Sequence, residues 1–151
     1  MTQTQTGESH VDTIQCPHCG ARNRVPAAKT GVAHCGRCHQ PLPWVTSAGD
    51  DDFDEVVVKS TLPVLLDLWA PWCAPCRIVD PGVRQAAETF AGRLKAVKVN
   101  VDEAPALAQR FRANSIPMIL ILRDGEPRRE QVGALAPTPL VNWVKEALEQ
   151  P

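Results

Sequence analysis

The stretch that decides the fold is Pro63–Cys76, with the sequence PVLLDLWAPWCAPC. Its first eight residues form a nearly continuous apolar run, which is typical of a strand buried on both faces of a sheet. The stretch ends in a C-x-x-C pair, and the residues from Cys73 to Phe90 have a helix-forming composition. A buried strand that leads directly into a helix predicts an α/β architecture, with the cysteine pair at the helix N-terminus.

Outward from this stretch, strand and helix patterns alternate along the chain. We expect strands over residues 43–46, 63–70, 94–101, 118–122 and 128–132, and helices over 50–59, 73–90, 104–112 and from about 138 onward. Asp124-Gly125 predicts a hairpin turn, and Thr138-Pro139 predicts a helix start with Thr138 as the N-cap. Pro81 should kink or interrupt the helix that follows Cys73. The result is a central sheet covered by helices.

Composition and charge exclude several classes of protein. The 151 residues are 44% hydrophobic, and 16 Lys plus Arg against 17 Asp plus Glu give a net charge of -1. A near-neutral chain is a poor candidate for wholesale binding of nucleic acid or anionic membrane, and no apolar run is long enough to span a bilayer. The polar residues 1–15 lack the pattern of a secretory signal. We therefore expect a cytoplasmic protein, in which structural disulfides are disfavoured.

The six cysteines fall into three C-x-x-C pairs, and the first two predict a metal site. Cys16 and Cys19 are followed, after fifteen intervening residues, by Cys35 and Cys38. This is the spacing of a four-cysteine structural zinc site. A segment so small buries too little surface to fold alone, so the metal would supply most of its folding free energy. We expect a polar tail over 1–15, a zinc ribbon over 16–42 and an α/β domain over 43–151.

Three other interpretations of the ribbon remain open. The four cysteines could form two disulfides, although a reducing compartment disfavours them. A histidine next to the pairs (His18, His34 or His39) could replace one ligand. The basic residues of this segment could bind nucleic acid, but interleaved exposed aromatic residues are missing.

The third pair, in Trp72–Cys76 (WCAPC), predicts redox chemistry. A cysteine at a helix N-terminus is favoured as the thiolate, which is the form that attacks a disulfide. Cys73 comes first in the helix and is expected to be more exposed, so it should be the nucleophile. Cys76 would then resolve the mixed disulfide. Metal binding by this pair is the alternative, although the ribbon already has four ligands.

Asp67 interrupts the apolar run and is the other unusual residue of the deciding stretch. Burial should raise its proton affinity and make it a proton acceptor near neutral pH. It precedes Cys73 by six residues, so we expect it to deprotonate Cys76 through a water molecule. The alternative is a carboxylate at a strand edge that faces solvent.

Taken together, these motifs resemble the thioredoxin family over about residues 43–151. The resemblance rests on D-x-W-A-x-W-C-x-P-C at 67–76, SIP at 115–117, DG at 124–125 and VGA at 132–134. The CPHC and CGRC pairs ahead of them are similar to those of the zinc-ribbon subgroup, thioredoxin 2. The resemblance implies a thioredoxin fold, a mixed central sheet flanked by helices, preceded by a small zinc ribbon.

The resemblance also implies an activity and its partners. A thioredoxin is a protein-disulfide reductase that works by dithiol–disulfide exchange and is recharged by an NADPH-dependent thioredoxin reductase. Zinc would be structural, and no organic cofactor is implied. Pro117 would be a cis-proline that faces the disulfide, and Lys98 would compensate the charge of Asp67. The substrate-contacting residues implied are Trp72, Ala74, Pro75, Pro117 and Gly133.

Two residues depart from the family pattern, and two other functions remain open. Ala74 stands where thioredoxins usually have glycine, and Met118 stands where threonine is common. One rival is a redox-switched zinc module or holdase, in which the ribbon cysteines do the chemistry. The other is a disulfide-forming oxidant, which the reduction potential of the Cys73/Cys76 pair would distinguish. At the sequence level, Lys98 can equally be an exposed strand residue, Pro117 a trans proline and Gly133 a bulge.

Overall fold

The structure is a computed structural model that describes residues 10–150. The strands are β1 (Val11–Gln15), β2 (Arg22–Pro26), β3 (Val45–Ser47), β4 (Val64–Trp69), β5 (Lys95–Asn100), β6 (Met118–Arg123) and β7 (Glu126–Val132). The helices are α1 (Ala74–Thr89), α2 (Pro105–Arg110) and α3 (Pro137–Glu149), together with a single π-helical turn at Asp54–Val58. Within the described part of the chain, no helix is both long and apolar enough to cross a membrane.

The main sheet places β4 at its centre. In residues 10–150 its strand order is β3-β5-β4-β6-β7, with β3, β5 and β4 parallel and with β6 and β7 antiparallel to their neighbours. Leu66 and Leu68 face a core on one side of the sheet, and Leu65 faces the core beneath α1 and α3 on the other. Because side chains alternate along a strand, Asp67 lies on the same face as Leu65, toward α1.

The first two cysteine pairs lie in a small hairpin unit, residues 11–42, which we name the ribbon segment. Strands β1 and β2 pair antiparallel, from Val11 opposite Pro26 to Gln15 opposite Arg22. The predicted polar tail is therefore wrong for residues 11–15, which form β1, because pairing and one inward side chain, Ile14, are enough to order them. Residues 1–9 of that tail, and residue 151, lie outside the described residues.

The ribbon segment contacts the main sheet through buried side chains. Ile14, Val25 and Leu42 form one cluster with Trp44, which immediately precedes β3. The carbonyl of Ala27 accepts a hydrogen bond of 2.6 Å from Lys95 Nζ in β5. The ribbon segment is thus attached to the sheet by both apolar and polar contacts.

Two local predictions differ from the structure, and a third, at Pro81, is narrowed to one alternative. The helix expected over 50–59 is only a π-helical turn, and Asp50 lies before it, where its carboxylate accepts the backbone N–H groups of Ala106 and Leu107 in α2. The last helix begins at Pro137, after Ala136, so Thr138 is not its N-cap. Helix α1 continues through Pro81 over 16 residues, so of the two effects expected of this proline, the interruption does not occur, because the apolar face of the helix packs on both sides of it.

Candidate functional site

The third cysteine pair lies where β4 leads into α1. Cys73 and Cys76 are joined by a disulfide, with their Cα atoms 5.4 Å apart. Cys73 is the N-cap residue of α1 and has an extended backbone, which allows its Sγ to accept the backbone N–H of Cys76 at 3.2 Å. A sulfur held at the positive end of a helix by a backbone donor is stabilised as the thiolate. The local geometry therefore favours Cys73 as the attacking sulfur.

Exposure does not distinguish the two cysteines, whereas the residues around them are open to solvent. Cys73 is 4% exposed and Cys76 is 5% exposed, so the prediction that Cys73 is the more exposed is wrong for the disulfide-bonded state. Ala74 and Pro75, which begin α1, are exposed. Trp72 is 69% exposed, and its indole N–H donates to Asp102 at 3.0 Å. These side chains form a surface rim beside the disulfide.

A second loop lies close to this pair. The Ile116–Pro117 peptide bond is cis, as the resemblance implies, and Ile116 packs against the cluster that contains both cysteines. The backbone N–H of Gly133 donates to the carbonyl of Pro117 at 2.9 Å. Gly133 has φ +100°, a conformation that side chains other than glycine rarely adopt. The structure thus joins Pro117 and Gly133 by a hydrogen bond.

Asp67 is fully buried in β4, and only one of its two carboxylate oxygens has a hydrogen-bond partner in the described residues. Its Oδ2 accepts a 2.9 Å hydrogen bond from Lys98 Nζ, while Oδ1 has no hydrogen-bond partner among residues 10–150. Burial is the dominant influence and raises the pKa of Asp67, although the ammonium of Lys98 opposes that change. The alternative of a solvent-facing carboxylate is excluded, and the Lys98 ammonium is the cation that lies beside Asp67.

The structure adds a carboxylate that our sequence reasoning missed. Lys98 Nζ also donates to Asp80 Oδ1, at 2.6 Å, and Asp80 Oδ2 accepts from Arg84 Nε at 3.0 Å. Burial opposes ionisation of Asp80, but the hydrogen bonds from Lys98 and Arg84 outweigh it and lower the pKa of that carboxyl. Asp80 follows Cys76 by four residues, one helical turn, and this spacing was the available signal.

One surface cavity is lined both by the Asp80–Lys98 ion pair and by Cys76. Its volume is about 470 Å³. It is lined by Trp69, Ala70, Pro71, Cys76, Arg77, Asp80, Pro81 and Lys98. A cavity of this size holds several water molecules. Asp67 is not in the lining and connects to the cavity through Lys98.

The other four cysteines converge at one point in the ribbon segment. The Sγ atoms of Cys16 and Cys38 are 3.5 Å apart, those of Cys19 and Cys35 are 3.6 Å apart, and all four lie within 4.8 Å of one another. Four thiolates around one tetrahedral zinc, at about 2.3 Å each, would be about 3.8 Å apart. The cysteines therefore fit a single four-coordinate metal ion, and no histidine of the described chain joins the cluster.

The electrostatics of the cluster point the same way. The backbone N–H groups of Cys38 and Arg37 lower the pKa of Cys35 to about 5. The backbone N–H of Gln40 favours the Cys38 thiolate, but burial and the other cysteine sulfurs outweigh it and raise the pKa of Cys38 to about 12. Without a cation the four sulfurs therefore do not all ionise near neutral pH, and a metal ion bound between them would allow all four to be thiolates. The four sulfurs are not bonded to one another, and their convergence favours a metal site over two disulfides.

Comparisons with known proteins agree with this geometry. A family model described as "Thioredoxin" matches residues 44–146, and one described as "Thioredoxin 2, N-terminal" matches residues 15–40. The thioredoxin of Haemophilus influenzae is 44% identical over 102 residues, which are 68% of this chain and 95% of that protein. Thioredoxin 1 of Synechococcus elongatus is 42% identical over 99 residues, which are 66% of this chain and 92% of that protein.

The fold, the cysteine pair and the cysteine cluster match these relatives together. The mixed sheet flanked by helices carries Cys73 and Cys76 at the start of α1, and the ribbon segment carries the other four cysteines. The chain therefore belongs to the thioredoxin family, in its zinc-ribbon subgroup, and is a thiol–disulfide oxidoreductase that reduces protein disulfides through Cys73 and Cys76.

Proposed function

We propose that Cys73 is the nucleophile of this reductase. Its thiolate attacks one sulfur of a substrate disulfide, forms a mixed disulfide and releases the other substrate sulfur as a thiolate. The observation that carries this assignment is the 3.2 Å hydrogen bond from the Cys76 backbone N–H to Cys73 Sγ at the first turn of α1. Cys76 has no equivalent position at the helix end, and so it serves as the resolving cysteine.

Asp67 is the proton acceptor of the second step. The Cys76 thiol gives its proton, through water in the adjoining cavity, to the Asp67 carboxylate, and the resulting thiolate attacks Cys73 Sγ. The Cys73–Cys76 disulfide forms, and the second substrate sulfur leaves as a thiolate that takes up a proton. Two electrons have then passed to the substrate. The raised pKa and the unpaired Oδ1 of Asp67 support this role, and Lys98 supports proton transfer by holding Oδ2.

The substrate binds across the rim beside the disulfide. Trp72, Ala74 and Pro75 are exposed on one side of the pair. The loop that contains cis-Pro117 and Gly133 is the other proposed contact, and the backbone next to Pro117 pairs with an extended substrate segment as an added strand. Disulfide-containing proteins are therefore the proposed substrates.

Family membership supports the proposed partners and setting. The electron source is an NADPH-dependent thioredoxin reductase, which returns the Cys73–Cys76 disulfide to the dithiol and makes this chain an electron carrier. The near-neutral charge and the redox-active thiols fit a cytoplasmic protein without nucleic-acid or membrane partners.

Zinc is the proposed ion of the ribbon segment. Four converging cysteine sulfurs suit a structural zinc site, in which all four positions are protein ligands. When bound, the ion would neutralise the thiolates and tie the two hairpin turns together. We keep the division into a ribbon over 16–42 and a catalytic domain over 43–151, with the ribbon extended to Val11. No bound organic cofactor is proposed.

Single-cysteine variants test the catalytic assignment. In Cys73→Ser, disulfide reduction should fall by at least about 10³-fold, because the nucleophile is lost. In Cys76→Ser, the first step should proceed and a mixed disulfide between Cys73 and the substrate should accumulate, visible by mass spectrometry. A Cys35→Ser variant serves as the control, since it removes a ribbon cysteine instead. If Cys73→Ser stays active while Cys35→Ser loses all reduction, the ribbon is the working part and the proposal fails.

A further inference from the structure

We propose that Asp80 is a positioning residue that sets the protonation equilibrium of Asp67 by sharing Lys98 with it. This inference rests on the proposed function, because it concerns the proton acceptor of the second step. It concerns a residue of α1 that the cysteine motif does not include.

The geometry is a chain of four charged groups. Lys98 Nζ lies 2.9 Å from Asp67 Oδ2 and 2.6 Å from Asp80 Oδ1, and Arg84 Nε lies 3.0 Å from Asp80 Oδ2. A single ammonium thus serves two carboxylates. Asp80 has the shorter contact and is partly exposed, with 34% of its side-chain surface accessible, whereas the Asp67 side chain is fully enclosed.

Because Lys98 also pairs with Asp80, it stabilises the ionised form of Asp67 less than it would alone. An opposite charge at this distance favours the ionised carboxylate, and a like charge nearby disfavours it. Paired with Lys98 alone, Asp67 would have a lower pKa than it has beside both Lys98 and Asp80. The negative charge of Asp80 acts against this, and its presence raises the pKa of Asp67 in addition to the larger effect of burial.

The surroundings contain few other groups that could have the same effect. Helix α1 contributes Cys76, Arg77, Asp80 and Arg84 to this region, and β5 contributes Lys98. On the opposite side of Asp67, β6 pairs with it through the apolar residue Ile119. Arg77 lines the cavity, but neither its side chain nor that of Arg84 forms an ion pair with Asp67 within residues 10–150. Asp80 is thus the second carboxylate of this site.

The position of Asp80 also couples it to the reaction. It follows Cys76 by one turn of α1 and lines the same cavity. The water that would carry the proton from Cys76 therefore lies beside the Asp80–Lys98 pair. Asp80 does not touch the reacting sulfurs in this scheme; it acts on Asp67 through Lys98.

The direct test is the titration of Asp67 in full-length protein, followed by NMR of its carboxyl carbon. In Asp80→Asn, the Asp67 midpoint should move to lower pH, because a like charge is removed and Lys98 is left to Asp67. Asp80→Glu should return it toward the wild-type value. Glu88→Gln removes the same charge from an exposed position further along α1 and should leave the midpoint unchanged. Equal midpoints in wild type and Asp80→Asn, or equal shifts in Asp80→Asn and Glu88→Gln, would overturn the proposal.

A double-mutant cycle tests the route through Lys98. In a Lys98→Met background, Asp80→Asn should shift the Asp67 midpoint less than it does in the wild type. An equal shift in both backgrounds would show that Asp80 acts without Lys98. Should Asp80→Asn fold poorly by circular dichroism, Arg84→Gln still tests the idea. Loss of Arg84 removes the second cation that pairs with Asp80 and should raise the Asp67 midpoint. An unchanged midpoint in Arg84→Gln would then contradict the proposal.

Kinetics separate this inference from the proposed function. The acid limb of the pH profile for resolution should move to lower pH in Asp80→Asn, and the rate at neutral pH should fall, because a weaker base accepts the proton. If the NMR midpoint moves and the rate profile does not, Asp80 controls Asp67 but Asp67 is not the proton acceptor. If neither moves, the inference about Asp80 is wrong whatever the role of Asp67.

Discussion

Two fully buried charged side chains, Asp67 and Lys95, are treated differently by the fold. Lys95 Nζ donates to the carbonyls of Ala27 and Val56, at 2.6 and 2.7 Å, and lies 4.4 Å from the centre of the Trp44 ring. Asp67 pairs with Lys98 through one oxygen, and its other oxygen has no hydrogen-bond partner in the described residues. One buried charge is surrounded by partners, and the other is left incomplete.

This difference separates a structural role from a chemical one. A buried charge is costly unless its hydrogen bonds are made. The contacts of Lys95 join the ribbon segment, the π-helical turn and β5, which are far apart in sequence, so they stabilise their arrangement. The open oxygen of Asp67 is the group that can take a proton. Lys95 and Lys98 lie three residues apart on β5, and so they serve opposite faces of the sheet.

The largest effect should come from removing the metal. This change would leave the buried Lys95 without one of its hydrogen-bond partners, as Asp67 is in the intact protein. In Cys35→Ser, or after chelation, the ribbon segment should lose its order, because structural zinc supplies about 10–16 kcal/mol of binding free energy in small zinc domains. Lys95 would then lose the carbonyl of Ala27. We expect the amides of β1 and β2 to lose their protection from hydrogen exchange.

A matched control for this experiment is Cys73→Ser, which should keep both the metal and the protected hairpin. Metal content, measured alongside, should fall from one ion per chain to none only when the ribbon cysteines are changed. Unaltered exchange in β1 and β2 after complete metal removal would contradict the structural role of the site.

A smaller effect should appear in how the stability of the protein depends on pH, because of the lowered pKa of Lys95. Burial is the main reason that the pKa of Lys95 falls from 10.5 to about 8, and the negative charge of Asp12 only partly offsets it. The native state therefore loses this proton at lower pH than the unfolded state does. Stability should rise as the pH increases from about 8 to 10.5, by about 3 kcal/mol at 1.36 kcal/mol per pH unit.

Urea unfolding of wild type and Lys95→Met over this pH range measures that rise. The variant cannot titrate at this position, so its stability should lack the increase. Lys145→Met, at an exposed position of α3, is the control and should follow the wild type. Parallel curves for wild type and Lys95→Met would show that the ammonium of Lys95 is solvated in the native protein.

The smallest of the three effects is expected from Asp67→Asn. Because the native pKa of Asp67 is raised, its contribution to stability is greatest below the unfolded pKa and is lost as the pH rises through the native pKa. Asparagine does not ionise, so the variant should gain stability relative to wild type as the pH increases. Disulfide reduction should slow by about 10²-fold, the lower end of the range for a positioned proton acceptor.

A series of unfolding measurements that starts below the unfolded pKa of 3.8 and continues upward in pH checks the first part, and reductase-coupled turnover checks the second. Asp51→Asn, at an exposed site, is the control for the loss of one carboxylate. A stability difference that is the same at every pH of the series, together with wild-type turnover, would remove Asp67 from the proton-transfer step.

Several features were predictable because they depend on neighbours in the sequence. The central strand follows from a continuous apolar run, and the start of α1 at the cysteine pair follows from the residues around Cys73. The four-cysteine cluster follows from paired spacing, since two residues between ligands allow one tight turn. Strand β1 was not predicted, because three of its five residues are polar and only one of the five, Ile14, is buried.

The sequence alone determined the fold class, the redox pair and the four-cysteine cluster, since each depends on a local pattern of hydrophobicity or spacing. Tertiary structure alone decided which charges meet. Asp80 and Lys98 are 18 residues apart, and Lys95 and Ala27 are 68 apart, and they come together only when helix α1 and the ribbon segment pack against β5. Whether a buried charge is satisfied or left open depends on those distant contacts, and no local pattern records them.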